Sequence, residues 1–175
     1  MKQTSSPHHD LVAKIVSASG VLSNEGIPAV IFDIDGTLVD VSSIQHLVSS
    51  GHRQFDAFHR ESINCPPFSQ VLEIAQSLLK GPIKVLAISG RQERYRTLTD
   101  YWLAMHSLPL HELVLRPNDY QGNRVQFKKE KYAGVASKYN ILAVFDNDPE
   151  LLSLWLTTQI PMVVQCPELI LLERN

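Results

Sequence analysis

Five short apolar runs, at 29–33, 84–88, 113–115, 141–145 and 162–165, carry no polar alternation and are separated by stretches of helical spacing. Strands covered on both faces read this way, whereas strands with one wet face alternate. In 67–80, Phe68, Val71, Leu72, Ala75, Leu78 and Leu79 make one helical stripe, stopped by Gly81-Pro82. In 91–106 the face is Tyr95, Leu98, Trp102 and Met105, and in 128–139 it is Tyr132, Val135, Ala136 and Tyr139. In 149–158, Pro149 occupies the first turn ahead of Leu151, Leu152 and Trp155. A further helix over 10–19 precedes the first strand. This alternation predicts an α/β, Rossmann-like fold, a five-stranded parallel sheet sandwiched by helices. With 175 residues, 44% of them hydrophobic, one domain with a real core is expected, the core spanning about 28–166. Residues 40–66 lack periodicity and are expected to form a small helical insertion after strand one.

Sheets of this kind place ligands at the carboxyl ends of their strands. Strand one ends in Asp33, followed by Asp35-Gly36-Thr37, strand two in Ser89-Gly90-Arg91, and strand four in Asp146-Asn147-Asp148. Lys128 and Lys129 lie in the helix that leads into strand four. Two acids one residue apart at the end of a buried strand point to the same side and repel each other. A divalent cation and a lysine relieve that repulsion. One aspartate can then stay ionised as a nucleophile while its neighbour carries a proton for acid–base work. Mg²⁺ prefers oxygen ligands and retains waters, so Asp33, the backbone carbonyl of Asp35 and Asp146 would suffice. The chemistry that this set serves is phosphoryl transfer. A turn acid before glycine is the plain alternative for Asp35, but it leaves a second acid on a buried strand unexplained. Ser89 can equally cap a helix, and Asp146-Asn147-Asp148 before Pro149 reads as both helix start and ligand set.

The stretches "DIDGTLVD", "ISGR", the lysine near 128 and "VFDNDPE" resemble, in order and spacing, the four motifs of the haloacid dehalogenase (HAD) superfamily of phosphatases. The resemblance implies that Asp33 attacks phosphorus and that Asp35 protonates the leaving oxygen and then activates water. Ser89 and Lys128 would hold the phosphoryl oxygens, with Thr37, Gly90, Arg91 and Arg96 as further substrate contacts. Asp33, Asp35, Asp146 and Asp148 would serve Mg²⁺. Within the superfamily, "INCPPFSQVLEIAQSLL", "AISGRQERYRTLTDYWLAMHSLPLHELVLRPNDYQGN" and "VFDNDPELLSLWLTTQIPMVVQC" are similar to the 3′-phosphatase domain of bacteriophage polynucleotide kinase-phosphatases. That likeness implies a 3′-phosphorylated polynucleotide end as substrate and a role in nucleic acid repair. It departs in three respects. No G-x-x-x-x-G-K-[ST] phosphate loop is present, so a kinase or ligase would be a separate partner. Asn147 stands where the family commonly shows a second Asp, which leaves Asp148 as the alternative ligand. "FKKEK" leaves both Lys128 and Lys129 eligible, although helical phase puts Lys128 on the buried stripe of Tyr132 and Val135.

The formal net charge of −2 excludes a broad basic coat for nucleic acid, so any polyanion must be met by local cations. Arg91, with Arg96 behind it, is expected to do so from the first turns of the helix after strand two. Phe55 and Phe58 fall in the insertion and are candidates to touch a base. His46, His52 and His59 have no zinc-like pairing and are expected to pack or face solvent. Tyr95, Trp102 and Trp155 are expected in the core. Cys65 and Cys166 read as free thiols of a reducing compartment. The N-terminus lacks the apolar run of a signal peptide and no stretch approaches the roughly eighteen apolar residues of a membrane span, so a cytoplasmic location and no membrane partner are expected. Two other functions fit the same motifs: a small-molecule phosphatase or nucleotidase, and a catalytically silent binding protein.

Overall fold

A computed structural model of the chain describes residues 7–21, 26–49, 51 and 53–174. His52 and the first six residues lie outside the described part. The elements are α1 (Pro7–Val21), β1 (Ile27–Phe32), α2 (His46–Ser49), α3 (Phe55–Glu61), α4 (Ser69–Leu79), β2 (Lys84–Gln92), α5 (Arg96–Met105), β3 (Glu112–Arg116), α6 (Arg124–Ala136), β4 (Tyr139–Asp146), α7 (Pro149–Leu156), β5 (Met162–Gln165) and β6 (Ile170–Leu172).

The strands form one sheet in the order β3-β2-β1-β4-β5-β6. The five expected strands are parallel, and β6 is an additional, antiparallel edge strand on β5. Three residues give no periodicity to read, so only the pairing of Ile170, Leu171 and Leu172 with β5 makes them a strand. Alternate residues of β1 face opposite layers, Val30 and Phe32 toward α1, α4 and α5, Ala29 and Ile31 toward α6 and α7. Both layers are closed by apolar side chains, which is why these strands show no polar alternation.

Several element boundaries differ from the sequence expectation. Strand β2 runs on through Ser89, Gly90 and Arg91 to Gln92, with an irregularity against β3 between Ser89 and Gln92. Helix α5 therefore starts only at Arg96, and its buried face is Thr99, Trp102 and Leu103, while Met105 is exposed. Helix α6 begins at Arg124, where the Asn123 side chain accepts from the Gln126 N–H at 2.9 Å, and Tyr139 belongs to β4. An asparagine cap five residues upstream of Lys128 is a stronger start signal than the lysine pair itself.

The insertion after β1 is helical, as expected: a 3₁₀ turn at Ser42–Ile44, then α2, α3 and a second 3₁₀ turn at Ser62–Asn64. Its two ends are joined by Asp40 N–H to the Pro66 carbonyl at 2.8 Å, and it is tied to the core by Trp102 Nε1–H to the Cys65 carbonyl at 2.9 Å. Its side chains roof the carboxyl end of β1.

Candidate active site

Strand order reverses about β1: its neighbour on one side is β2 and on the other β4. The carboxyl ends of β1, β2 and β4 therefore splay around a common cleft. The Asp33 N–H donates to the Phe145 carbonyl at 2.9 Å, which seats Asp33 beside Asp146. Beyond it the chain turns sharply, with the Gly36 N–H on the Val39 carbonyl and the Leu38 and Val39 N–H groups on the Ile34 carbonyl. Gly36 has φ +85° there, and a Cβ on it would lie 2.2 Å from the Asn147 amide nitrogen. The positive φ favours glycine here, and the Asn147 side chain occupies the space that a Cβ would need.

A cavity of about 240 Å³ opens at this place, with Asp33, Asp35, Ser89, Gly90 and Lys128 in its wall and Phe58 over it. Lys128, on the second turn of α6, is buried and places Nζ 2.6 Å from Asp33 Oδ1 and 2.9 Å from Asp146 Oδ2. Asp146 Oδ2 also accepts the Trp155 indole N–H at 3.0 Å, and Asp146 Oδ1 the Asp148 N–H at 3.1 Å. Lys129 is exposed on the far side of the helix. The ambiguity between the two lysines is resolved spatially: only Lys128 reaches the acids.

Asp35 has different company. Arg91 grips it with both ends of its guanidinium, Nε to Oδ2 at 2.9 Å and Nη2 to Oδ1 at 2.6 Å, and Nη1 bonds the Thr99 hydroxyl at 3.2 Å. Arg91 is only 2% exposed. The expectation of a surface arginine reaching out from a helix is corrected, because β2 continues through this residue and carries it inward. Arg96 is corrected too: it pairs with Glu93 and donates to the Leu113 carbonyl at 3.1 Å, turned away from the cavity. Ser89 is buried in the cavity wall, its Oγ accepting the Arg91 N–H at 3.2 Å. The Thr37 hydroxyl is buried and lies 3.4 Å from the Asn147 amide oxygen.

The electrostatics follow from these partners. Burial pushes the Asp33 carboxyl up to about 7, with Asp146 and Asp35 adding to the rise and Lys128 opposing it. Burial would raise Asp35 as well, but the Arg91 charge and hydrogen bonds outweigh it and hold Asp35 below the ordinary carboxylate range. In this arrangement the protonation bias is opposite to the expected one, which is an ionised Asp33 beside a protonated Asp35. The reason is geometric, since the bidentate arginine lies on Asp35 and not on Asp33. Lys128 stays charged: burial lowers it, and the two carboxylates more than compensate.

Among the described residues, no group of three or more His, Cys, Asp or Glu side chains is arranged to hold a metal. Of the four expected ligands, the Asp35 side chain is taken by Arg91, while the donor expected of Asp35 is its backbone carbonyl. Asp148 caps α7 through the Glu150 N–H at 2.9 Å and pairs with Arg124 at 2.5 Å. Asp33 and Asp146 remain. This donor set suits Mg²⁺, a hard cation content with one or two carboxylates, a carbonyl and water.

Three contributors escaped the sequence reading. Trp155 was expected only as core, yet its indole N–H orients Asp146; a tryptophan on a buried stripe needs such a partner, which was the available signal. Thr99 steadies Arg91, and Arg124 lines the cavity one turn before Lys128. Phe58 does cover the cavity, whereas Phe55 is 46% exposed.

Residues 27–168 match the polynucleotide kinase PNKP phosphatase domain. The chain belongs to that family. Its fold is that of a HAD-type phosphatase, which gives the motif order a structural basis. Among solved structures, a chain of the Pnkp1/Rnl/Hen1 complex matches with a TM-score of 0.68 at 22% identity, over 81% of this chain and 46% of that one. The class C acid phosphatase from Bacillus anthracis with tungstate bound matches with a TM-score of 0.66 at 17% identity, over 81% of this chain and 60% of that one. At these identities the likeness is one of fold. This PNKP-type domain thus spans about half to three-fifths of the length of those matched chains. No curated protein matches it.

Proposed function

We propose that this chain hydrolyses phosphate monoesters with the help of Mg²⁺, through a phosphorylated Asp33, at the 3′ end of a polynucleotide. The observation that carries the reading is the buried Asp33–Lys128–Asp146 bridge opening into the cavity at the end of β1. The family match supports the polynucleotide end as substrate. Mg²⁺, held by Asp33 and Asp146, would offset charge on the incoming phosphoryl group. Lys128 adds a fixed positive charge beside the attacking oxygen and opposes the protonation of Asp33 that burial favours. Asp33 forms the new P–O bond as the ester P–O bond breaks, and the departing oxygen takes a proton from Asp35. Water then attacks the acyl phosphate, returning a proton to Asp35 and freeing Asp33. Asp35 as it stands on Arg91 is suited to the second step. For the first it has to bind a proton, which requires the carboxylate to be drawn off the guanidinium. Ser89 and Gly90 border the cavity where phosphoryl oxygens would sit.

The test is a comparison of inorganic phosphate release from a 3′-phosphorylated oligonucleotide, a 5′-phosphorylated oligonucleotide and nucleoside monophosphates, with and without Mg²⁺. The reading requires metal-dependent release that favours the 3′-phosphorylated strand. Equal turnover of mononucleotides would replace it with a nucleotidase, and no turnover of any ester with a silent binding protein.

A further inference from the structure

Two cavities meet at the carboxyl edge of the sheet. The catalytic one has two cations in its wall among the described residues, Lys128 and Arg124. The other, of about 390 Å³, shares Val41, Gln45 and Asn147 with it and reaches Gln165 at the end of β5. Its wall carries Asp40 and Glu168 and, among the described residues, no cation. A polyanion leaving the catalytic cavity is repelled along that path, and Arg124 marks a different one. Arg124 stands one turn before Lys128 on the same face of α6, about 6 Å along the helix axis. Lys128 is buried on Asp33 and Asp146, whereas the Arg124 side chain is 51% exposed at the rim. Asp148 and Glu150 hold it, Nε on the first at 2.5 Å and Nη2 on the second at 3.0 Å. A guanidinium has five N–H donors, so these two bonds fix its direction and leave donors for a third acceptor. The two acids oppose an incoming anion only in part. Asp148 also accepts the Glu150 N–H at the start of α7, and Glu150 is exposed and screened by solvent.

Resting on the phosphatase reading above, we propose that Arg124 is a substrate-binding residue at the cavity rim, which takes the internucleotide phosphodiester next to a 3′-phosphate seated at Asp33 and Lys128. The helical turn between the two cations matches the order of one nucleotide step between phosphates. Arg91, the cation that the sequence offered for this grip, is buried on Asp35, so the grip passes to α6. A single rim arginine also lets a chain of net charge −2 prefer a strand to a mononucleotide without a basic groove.

The test uses binding in the presence of Mg²⁺, in an Asp33→Asn background that prevents turnover. A dinucleotide with a 3′-phosphate is compared with the same dinucleotide carrying a neutral methylphosphonate linkage. The phosphodiester should bind about 5- to 20-fold more tightly, the lower part of the range for charge-assisted hydrogen bonds because Arg124 is half exposed. Arg124→Gln should bring that ratio close to one. In a 3′-phosphorylated trinucleotide, a methylphosphonate at the linkage farther from the 3′ end should cost much less than one at the nearer linkage. A ratio near one before Arg124 is changed overturns the proposal, and so does a ratio that survives Arg124→Gln. Equal costs at the two linkages overturn it with no Arg124 variant at all, since they would mean a diffuse attraction. The phosphatase reading is judged separately, by phosphate release from the 3′-phosphorylated dinucleotide with native Asp33. Release without linkage discrimination sinks the rim contact alone, and absence of release sinks the reading beneath it.

Discussion

Asp33 and Asp35 are two residues apart, yet one is raised to about 7 and the other held low. Replacing Asp33 with Asn is expected to abolish turnover, since the amide cannot attack phosphorus. Its effect on stability has a definite sign. Between the unfolded value near 4 and the folded value near 7, the folded protein keeps a proton that the unfolded chain has lost. Stability contributed by Asp33 therefore falls as pH rises through that window. Without metal, Asp33→Asn should gain in melting temperature relative to the parent at pH 8 and not at pH 4. A larger relative gain at pH 4 would contradict the assigned shift. Asp35→Asn differs in kind, because it strands a buried guanidinium. We expect a loss of about 10²–10⁴-fold on an alkyl phosphate and a smaller one on an activated aryl phosphate, with a lower melting temperature. Equal losses on the two esters would remove Asp35 from leaving-group protonation.

At the scale of the element, α6 shows what periodicity can and cannot deliver. The helix begins at Arg124, four residues before the start that the sequence pattern indicates. An error of about one turn preserves phase, so Lys128 still falls on the buried stripe and Lys129 on the wet one. Lys128→Ala leaves Asp33 and Asp146 facing each other without their cation, and is expected to cost about 3–5 kcal/mol as well as phosphoryl binding. Lys129→Ala should stay within about 0.5 kcal/mol and keep its activity. Urea titration with a phosphate-release assay on both variants checks this, and the reverse ranking would refute the bridge. Strand β2 is the contrary case. Ser89-Gly90-Arg91 has the composition of a strand-to-helix turn, but pairing with β3 carries β2 to Gln92 and so turns Arg91 inward.

For the molecule as a whole, two measurements report on how the insertion meets the core and how the site meets a polymer. Burial lowers His59 to about 4, Arg91, Arg94 and Arg116 adding to the drop and Asp35 opposing it. The neutral ring therefore contributes stability that is complete above pH 6.5 and is lost as pH falls toward 4. Chemical denaturation at pH 7, 5.5 and 4.5 should show that loss, and His59→Gln should flatten it. An unchanged slope in the variant would assign the loss to other groups. With no extended basic groove, binding of a 3′-phosphorylated strand should depend weakly on salt. Each phosphate neutralised contributes roughly −0.7 to the slope of log affinity against log salt, so one or two phosphates set the expected range. A steep slope, or affinity that keeps rising with strand length, would reveal a contact surface beyond the cavity.

Hydrophobic periodicity along the chain determined the parallel sheet, its two helical layers and the place where chemistry had to collect. Those are local properties, written in which residues must leave water. The motifs determined which acids, serine and lysine stand near that place. Only tertiary structure decided which acid each cation serves. Arg91 on Asp35, Lys128 between Asp33 and Asp146, and Arg124 on Asp148 are pairings between residues on separate elements. Such pairings depend on distances of a few ångströms between separate elements, and Coulomb and hydrogen-bond energies change steeply over that range. No spacing along the chain encodes those distances, so the order of the site could be read from sequence and its protonation could not.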